Sequence, residues 1–126
     1  LIVVGREDLS PAYQSVQTGH ALALFCIEHN DIANSWHQNS QFLSYLSVKD
    51  ESKLLFLIEK AHLRGITISI FREPDINNQI TAIAMEPTDK SKRLCSGLPC
   101  VLKEFNSVGL NKDNYVNAES LVMPGG

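Results

Sequence analysis

The sequence predicts an α/β fold on a four-stranded mixed sheet, and three observations carry that reading. Leu1 to Val4 is an unbroken apolar run closed by Gly5 and a charged turn, the pattern of a strand buried on both faces. Strand-like 42–48, helix-like 51–64 and strand-like 66–71 follow with short links, which makes a βαβ crossover with parallel strands joined right-handedly. The connection 72–78 then holds too few residues for a crossover helix, so the strand at 79–85 runs antiparallel to its predecessor.

Each element has its own signals. Ser10 is a good N-cap and Pro11 suits the first helical position, so a helix is expected over 11–29. Val16, His20, Ala23, Leu24 and Ile27 mark its apolar face, and Asn30 with Asp31 supplies a stop. A short helix is expected at 32–39, anchored by Trp36. Asp50 caps the next helix, whose wide apolar face is Leu54, Leu55, Leu57, Ile58 and Ala61, and Gly65 ends it. Beyond Met85 the pattern weakens: a short helix fits 89–94 and a last ordered segment 101–105. Residues 106–126 are polar without a period, and a poorly packed or disordered tail is expected there. There is no internal repeat or low-complexity segment.

At 126 residues and 44% hydrophobic content, one domain with its own core is expected, needing neither disulfide nor metal to fold. The net charge of −3 argues against a protein that grips long nucleic acid by counterion release. A DNA partner is therefore not expected, and any RNA contact rests on a local basic patch. Cys26 falls within the first helix, and Cys95 and Cys100 have no matching second ligand pair, so free thiols in a reducing compartment are expected rather than zinc or a disulfide. No apolar run approaches the roughly 20 residues of a membrane span. A soluble cytoplasmic protein is expected, with a few residues missing upstream because the chain does not open on Met.

The most informative stretch is Val16-Gln-Thr-Gly-His-Ala. Tyr13, Gln17 and His20 recur at helical spacing on one stripe of a helix that directly follows the first strand. With the element order β-α-(α)-β-α-β-β, this Gln-x-x-His-Ala resembles the type 2 peptidyl-tRNA hydrolase family over about residues 1–105. The chain is most similar to the divergent, domain-containing branch in Arg6-Glu-Asp-Leu, Lys49-Asp-Glu-Ser, Arg72-Glu-Pro-Asp-Ile and Ile80-Thr-Ala-Ile-Ala-Met-Glu-Pro. The resemblance implies a three-layer α/β/α sandwich, a homodimer, and hydrolysis of the ester joining a peptide to tRNA without a metal or other cofactor.

It also implies a site. Gln17 matches the family glutamine, Thr81 a family threonine in the following strand, and Glu73 the acid that ends the third strand. Tyr13 stands where the family has lysine, and the acidic loop is shorter and lacks its Gly and Thr. The expected catalytic set is Gln17, His20, Glu73 and Thr81. Tyr13, Arg6, Arg72 and Asp75 are expected against the substrate, Asp75 as the alternative carboxylate and the arginines as replacements for the lost charge. Glu73 orients or deprotonates water, while Gln17 and Thr81 donate hydrogen bonds.

Plainer roles stand beside these: His20 as a packing residue bonded to a carbonyl, Gln17 satisfying a backbone group, Glu73 solvating the turn at Pro74. His29, His37 and His62 lack ligand spacing and fit surface or packing roles. A peptidyl-tRNA hydrolase leads; a non-catalytic binding module on the same fold and an interaction protein acting through the tail are the alternatives.

Overall fold

The computed structural model describes residues 1–100, so the expected segment 101–105 and the tail 106–126 lie outside the described residues. The elements are β1 (Ile2–Arg6), α1 (Pro11–Glu28), α2 (Asn30–Gln38), β2 (Ser44–Val48), α3 (Glu51–Leu63), β3 (Ile68–Glu73), β4 (Gln79–Met85) and α4 (Asp89–Leu94). A 3-10 turn at Pro74–Ile76 joins β3 to β4.

Caps set the helix boundaries. Ser10 accepts from the Tyr13 N–H, Asp50 from Lys53 and Thr88 from Ser91, each satisfying an orphan donor of the first turn. Gly65, at φ +67°, turns the chain after α3, where the Ile66 N–H bonds the Ala61 carbonyl. Asn30 does not stop the helical run as expected. It begins α2, and the break falls at His29, whose extended φ of −128° separates the two helices.

The strands align as β2-β1-β4-β3. β1 is parallel to β2 and antiparallel to β4, and β4 is antiparallel to β3. β2 and β3 therefore run parallel, as a crossover requires, but at opposite edges with β1 and β4 between them.

Period-2 alternation gives the sheet two apolar faces. Ile2, Val4, Ile83 and Met85 pack with Leu54, Leu57 and Ala61 of α3. Leu1, Val3, Ala82 and Ala84 pack with Ala21 and Phe25 of α1, and Ile32 and Trp36 of α2 join them. The result is the three-layer α/β/α sandwich.

The α1 layer sits close because its strand partners are small. A Cβ on Gly5 would lie 2.9 Å from the Thr18 methyl. The buried face of α1 is Gln14, Gln17, Thr18, Ala21 and Phe25, which corrects the expected stripe: Val16 is 54% and Ile27 76% exposed. Polar residues occupy that face because their partners are internal. Gln14 Nε2 donates to the Leu9 carbonyl (2.7 Å) and Thr18 Oγ1 to the Gln14 carbonyl (2.9 Å). On α3, Leu55 is likewise exposed rather than part of the core.

Candidate active site

The Ser10 cap fixes the first turn of α1, and helical spacing then carries Tyr13, Gln17 and His20 along the side of the helix that overlies β3 and β4. On β3, Phe71 and Glu73 share the α1 face by alternation. His20 stacks on Phe71 with ring centroids 4.6 Å apart and planes 7° from parallel.

Thr81 reaches this face through a bulge. Phe71 pairs with Ala82 and Arg72 with Ile80, so Thr81 is the extra residue of β4. Strict alternation from Ile83 would aim Thr81 at α3; the extra residue turns it toward α1. Far-side groups hold the irregular strand. The Ile80 N–H donates to Glu51 Oε2 (2.8 Å), and the Ile80 carbonyl accepts from Arg6 Nη1 (3.2 Å). Arg6 also donates to Gln79 Oε1 (2.8 Å) and grips Asp8 through Nε and Nη2 (3.0 and 2.8 Å).

Three side chains from three elements then form a relay. Thr81 Oγ1 donates to Gln17 Oε1 (2.5 Å), and Gln17 Nε2 donates to Glu73 Oε1 (2.8 Å). A carboxylate accepts only, so the amide nitrogen must face Glu73 and the amide oxygen must take the threonine proton. Glu73 Oε2 accepts from the Asp75 N–H (3.3 Å).

The Gln17 hydrogen bond, then that of the Asp75 amide, holds the Glu73 carboxyl below the usual range, with smaller contributions from His20 and Tyr13. Glu73 is thus a carboxylate at neutral pH. Desolvation, followed by the negative field of Glu73 and Asp75, pushes the Tyr13 phenol above its ordinary value, so it is neutral. Among the described residues, no lysine or arginine is found in the groups that act on Glu73.

Of the expected residues, the structure gathers Tyr13, Gln17, His20, Glu73, Thr81 and Asp75 at one end of the sheet. It does not bring in the arginines. Arg6 is buried on the α3 face and committed to Asp8 and Ile80, while Arg72 points away from Glu73 by alternation and bonds the Asn78 carbonyl (3.2 Å). Gln17 and Thr81 are 1% and 0% exposed. The Thr81 proton is spent on Gln17, so neither is an open donor to an incoming ester. The carbonyl-bonded histidine is His29, whose Nε2 lies 3.2 Å from the Ile68 oxygen, whereas His20 is exposed. Two contributors escaped the sequence reading. Phe71 carried a signal, being two residues before Glu73 on a strand; Glu51 stood in the Lys49-Asp-Glu-Ser stretch, but nothing there marked its partner, a backbone group 29 residues away.

Fold and site together define an α/β/α domain with a carboxylate-centred polar site where its first helix crosses two antiparallel strands. The family model described as Peptidyl-tRNA hydrolase PTH2 matches residues 1–94, and the chain belongs to that family. Comparison with curated proteins gives no match. Among the described residues, no helix is long and apolar enough to cross a membrane.

Proposed function

We propose that the chain hydrolyses the ester between a peptide and tRNA at the surface formed by Tyr13, His20, Glu73 and Asp75. The observation that carries this reading is the Thr81–Gln17–Glu73 relay, which fixes one carboxylate oxygen from a buried anchor and leaves the carboxylate at the surface. Glu73 accepts a hydrogen bond from water and aims it at the ester carbonyl carbon. As the C–O bond forms, Glu73 takes the water proton; as the ester bond breaks, that proton passes to the departing ribose oxygen. The products are a peptide acid and a free tRNA hydroxyl. The Tyr13 hydroxyl and the His20 ring, which both act on Glu73, are assigned as the donors to the developing oxyanion.

In this scheme Gln17 and Thr81 are positioning residues, acting through Glu73. The lowered Glu73 pKa makes it a better orienter than proton acceptor, since an efficient base titrates near the working pH. The test is release of peptide from a peptidyl-tRNA mimic with a chelator present. Turnover that falls on the order of 10²-fold in Glu73→Gln supports the site; equal rates in wild type and Glu73→Gln exclude it.

One observation favours the second reading, a family member with weakened or lost chemistry that acts by binding. The family lysine is Tyr13, and neither Arg6 nor Arg72 replaces its charge. Losing one strong electrostatic donor costs about 10²- to 10³-fold in rate. Turnover that is restored only by Tyr13→Lys supports this reading; robust wild-type turnover rules it out. The homodimer and the cytoplasmic setting remain part of the proposal; sedimentation of the full chain and its location in cells test them.

A further inference from the structure

We infer that a second surface, on the far side of the sheet from Glu73, is a landing site for RNA phosphate backbone. Between α3, α4 and the ends of β1 and β2 lies a cavity of about 480 Å³, bordered by Lys49, Lys53, Lys60, Arg64 and Arg93. These are five of the eleven lysines and arginines in a chain of net charge −3. Lys53, Lys60 and Arg64 fall on one helical stripe, at i, i+7 and i+11.

None of the five is in an ion pair among the described residues; the pair found there is Arg6–Asp8. Glu7 is the one carboxylate on the lining, and it accepts from Ser47 Oγ (3.4 Å). Lys60 instead stands 4.8 Å from the centre of the Phe56 ring. Five cations against the single carboxylate of Glu7, none of them in an ion pair among the described residues, leave a net positive cluster, so the arrangement gains free energy when an anion arrives.

The build of the site selects the kind of anion. A small anion is held by fixed, buried donors, whereas here four of the five cations are exposed on long side chains at the rim and Lys60 is half-buried. They spread from the end of β2 along α3 to α4, which suits an extended polyanion whose phosphates are met in series. The identification of that polyanion as tRNA rests on the hydrolase reading. A tRNA exceeds this domain in length, so its body and its acceptor end meet different faces.

The test is fluorescence anisotropy of deacylated tRNA with the full chain across a salt series. Five phosphate contacts predict a log K against log salt slope of about −4. Lys53→Glu with Arg93→Glu is expected to weaken binding at least tenfold and to flatten the slope by about 1 to 2. A charge-matched control, Lys90→Glu with Lys92→Glu on the same short helix, is expected to change affinity less than threefold. Should the first pair fail to fold by circular dichroism, Lys49→Glu with Arg64→Glu carries the same expectation. Equal losses in test and control pairs, no tRNA binding by wild type in low salt, or tighter binding to phosphatidylserine vesicles through the same residues overturns the inference.

Peptidyl-tRNA turnover measured alongside separates the two proposals. Binding through these residues without hydrolysis keeps the landing site and removes the hydrolase reading. Turnover with an unchanged KM in Lys53→Glu/Arg93→Glu does the reverse.

Discussion

At Tyr13 the helix offers Glu73 a neutral hydroxyl, where the resemblance implies a lysine, and the consequences are measurable at single residues. Tyr13→Lys is expected to raise kcat on a peptidyl-tRNA mimic at least tenfold, because a cation beside the oxyanion outweighs a phenol in a partly desolvated site. Gln17→Ala removes the largest cause of the lowered Glu73 pKa, so that pKa moves up. In wild type the acid limb of kcat/KM is expected below the ordinary glutamate value of about 4.3, and Gln17→Ala is expected to shift it toward higher pH. Carbon-13 NMR titration of Glu73 checks the same shift without relying on turnover. The linkage sign follows: a depressed folded pKa contributes stability above the unfolded value, and that stability is lost as pH falls through the folded one. The site stripe was readable at this scale because Tyr13, Gln17 and His20 are set by helical spacing alone. The inaccessibility of Gln17 was not, since it depends on how deeply α1 settles onto Gly5 and Ala82.

Among the elements, the limits of sequence reading have physical causes. β4 and α4 fall at the expected residues, because Asn77 and Asn78 with positive φ and the Thr88 cap punctuate them locally. The buried face of α1 was misread because hydrophobicity marks burial only where buried polar groups are unpaired, and Gln14, Gln17 and Thr18 all have partners. The β4 bulge was invisible, because alternation places Ile80 and Ile83 on opposite faces while the fold places both against α3. Two substitutions test the elements that aim the relay. Glu51→Ala removes a charge-assisted bond to the Ile80 N–H and is expected to cost about 2 kcal/mol in urea unfolding. It also loosens Thr81, so the Glu73 pKa should rise toward the Gln17→Ala value; a stability loss with that pKa unmoved contradicts the link. Gly5→Ala forces a methyl against Thr18, whose rotamer is fixed by its own hydrogen bonds, and is expected to destabilise by about 1–3 kcal/mol.

In the whole molecule the carboxylate cluster lies on the α1 side of one sheet edge and the cationic cavity on the α3 side of the other. The mixed four-stranded sheet was legible from the order of strands and helices, and the three layers from the family resemblance, but the clustering of five cations was not. Lys49 and Arg93 join the α3 stripe only after β2 and α4 are folded onto one core. Global packing also sorts the three unpaired cysteines. Cys95 is buried against Met85, and burial pushes its thiol up to about 11, whereas Cys100 is exposed. A thiol reagent at pH 8 is therefore expected to modify Cys100 rapidly and Cys95 only on unfolding. In the proposed reaction Glu73, held by Gln17 and Thr81, directs water onto the ester of a peptidyl-tRNA. The most direct measurement is single-turnover peptide release by wild type and Glu73→Gln, both saturated with substrate and with chelator present. Wild type is expected to release peptide, and the variant to do so at a rate on the order of 10²-fold lower. Equal rates, or no release by wild type, would contradict it.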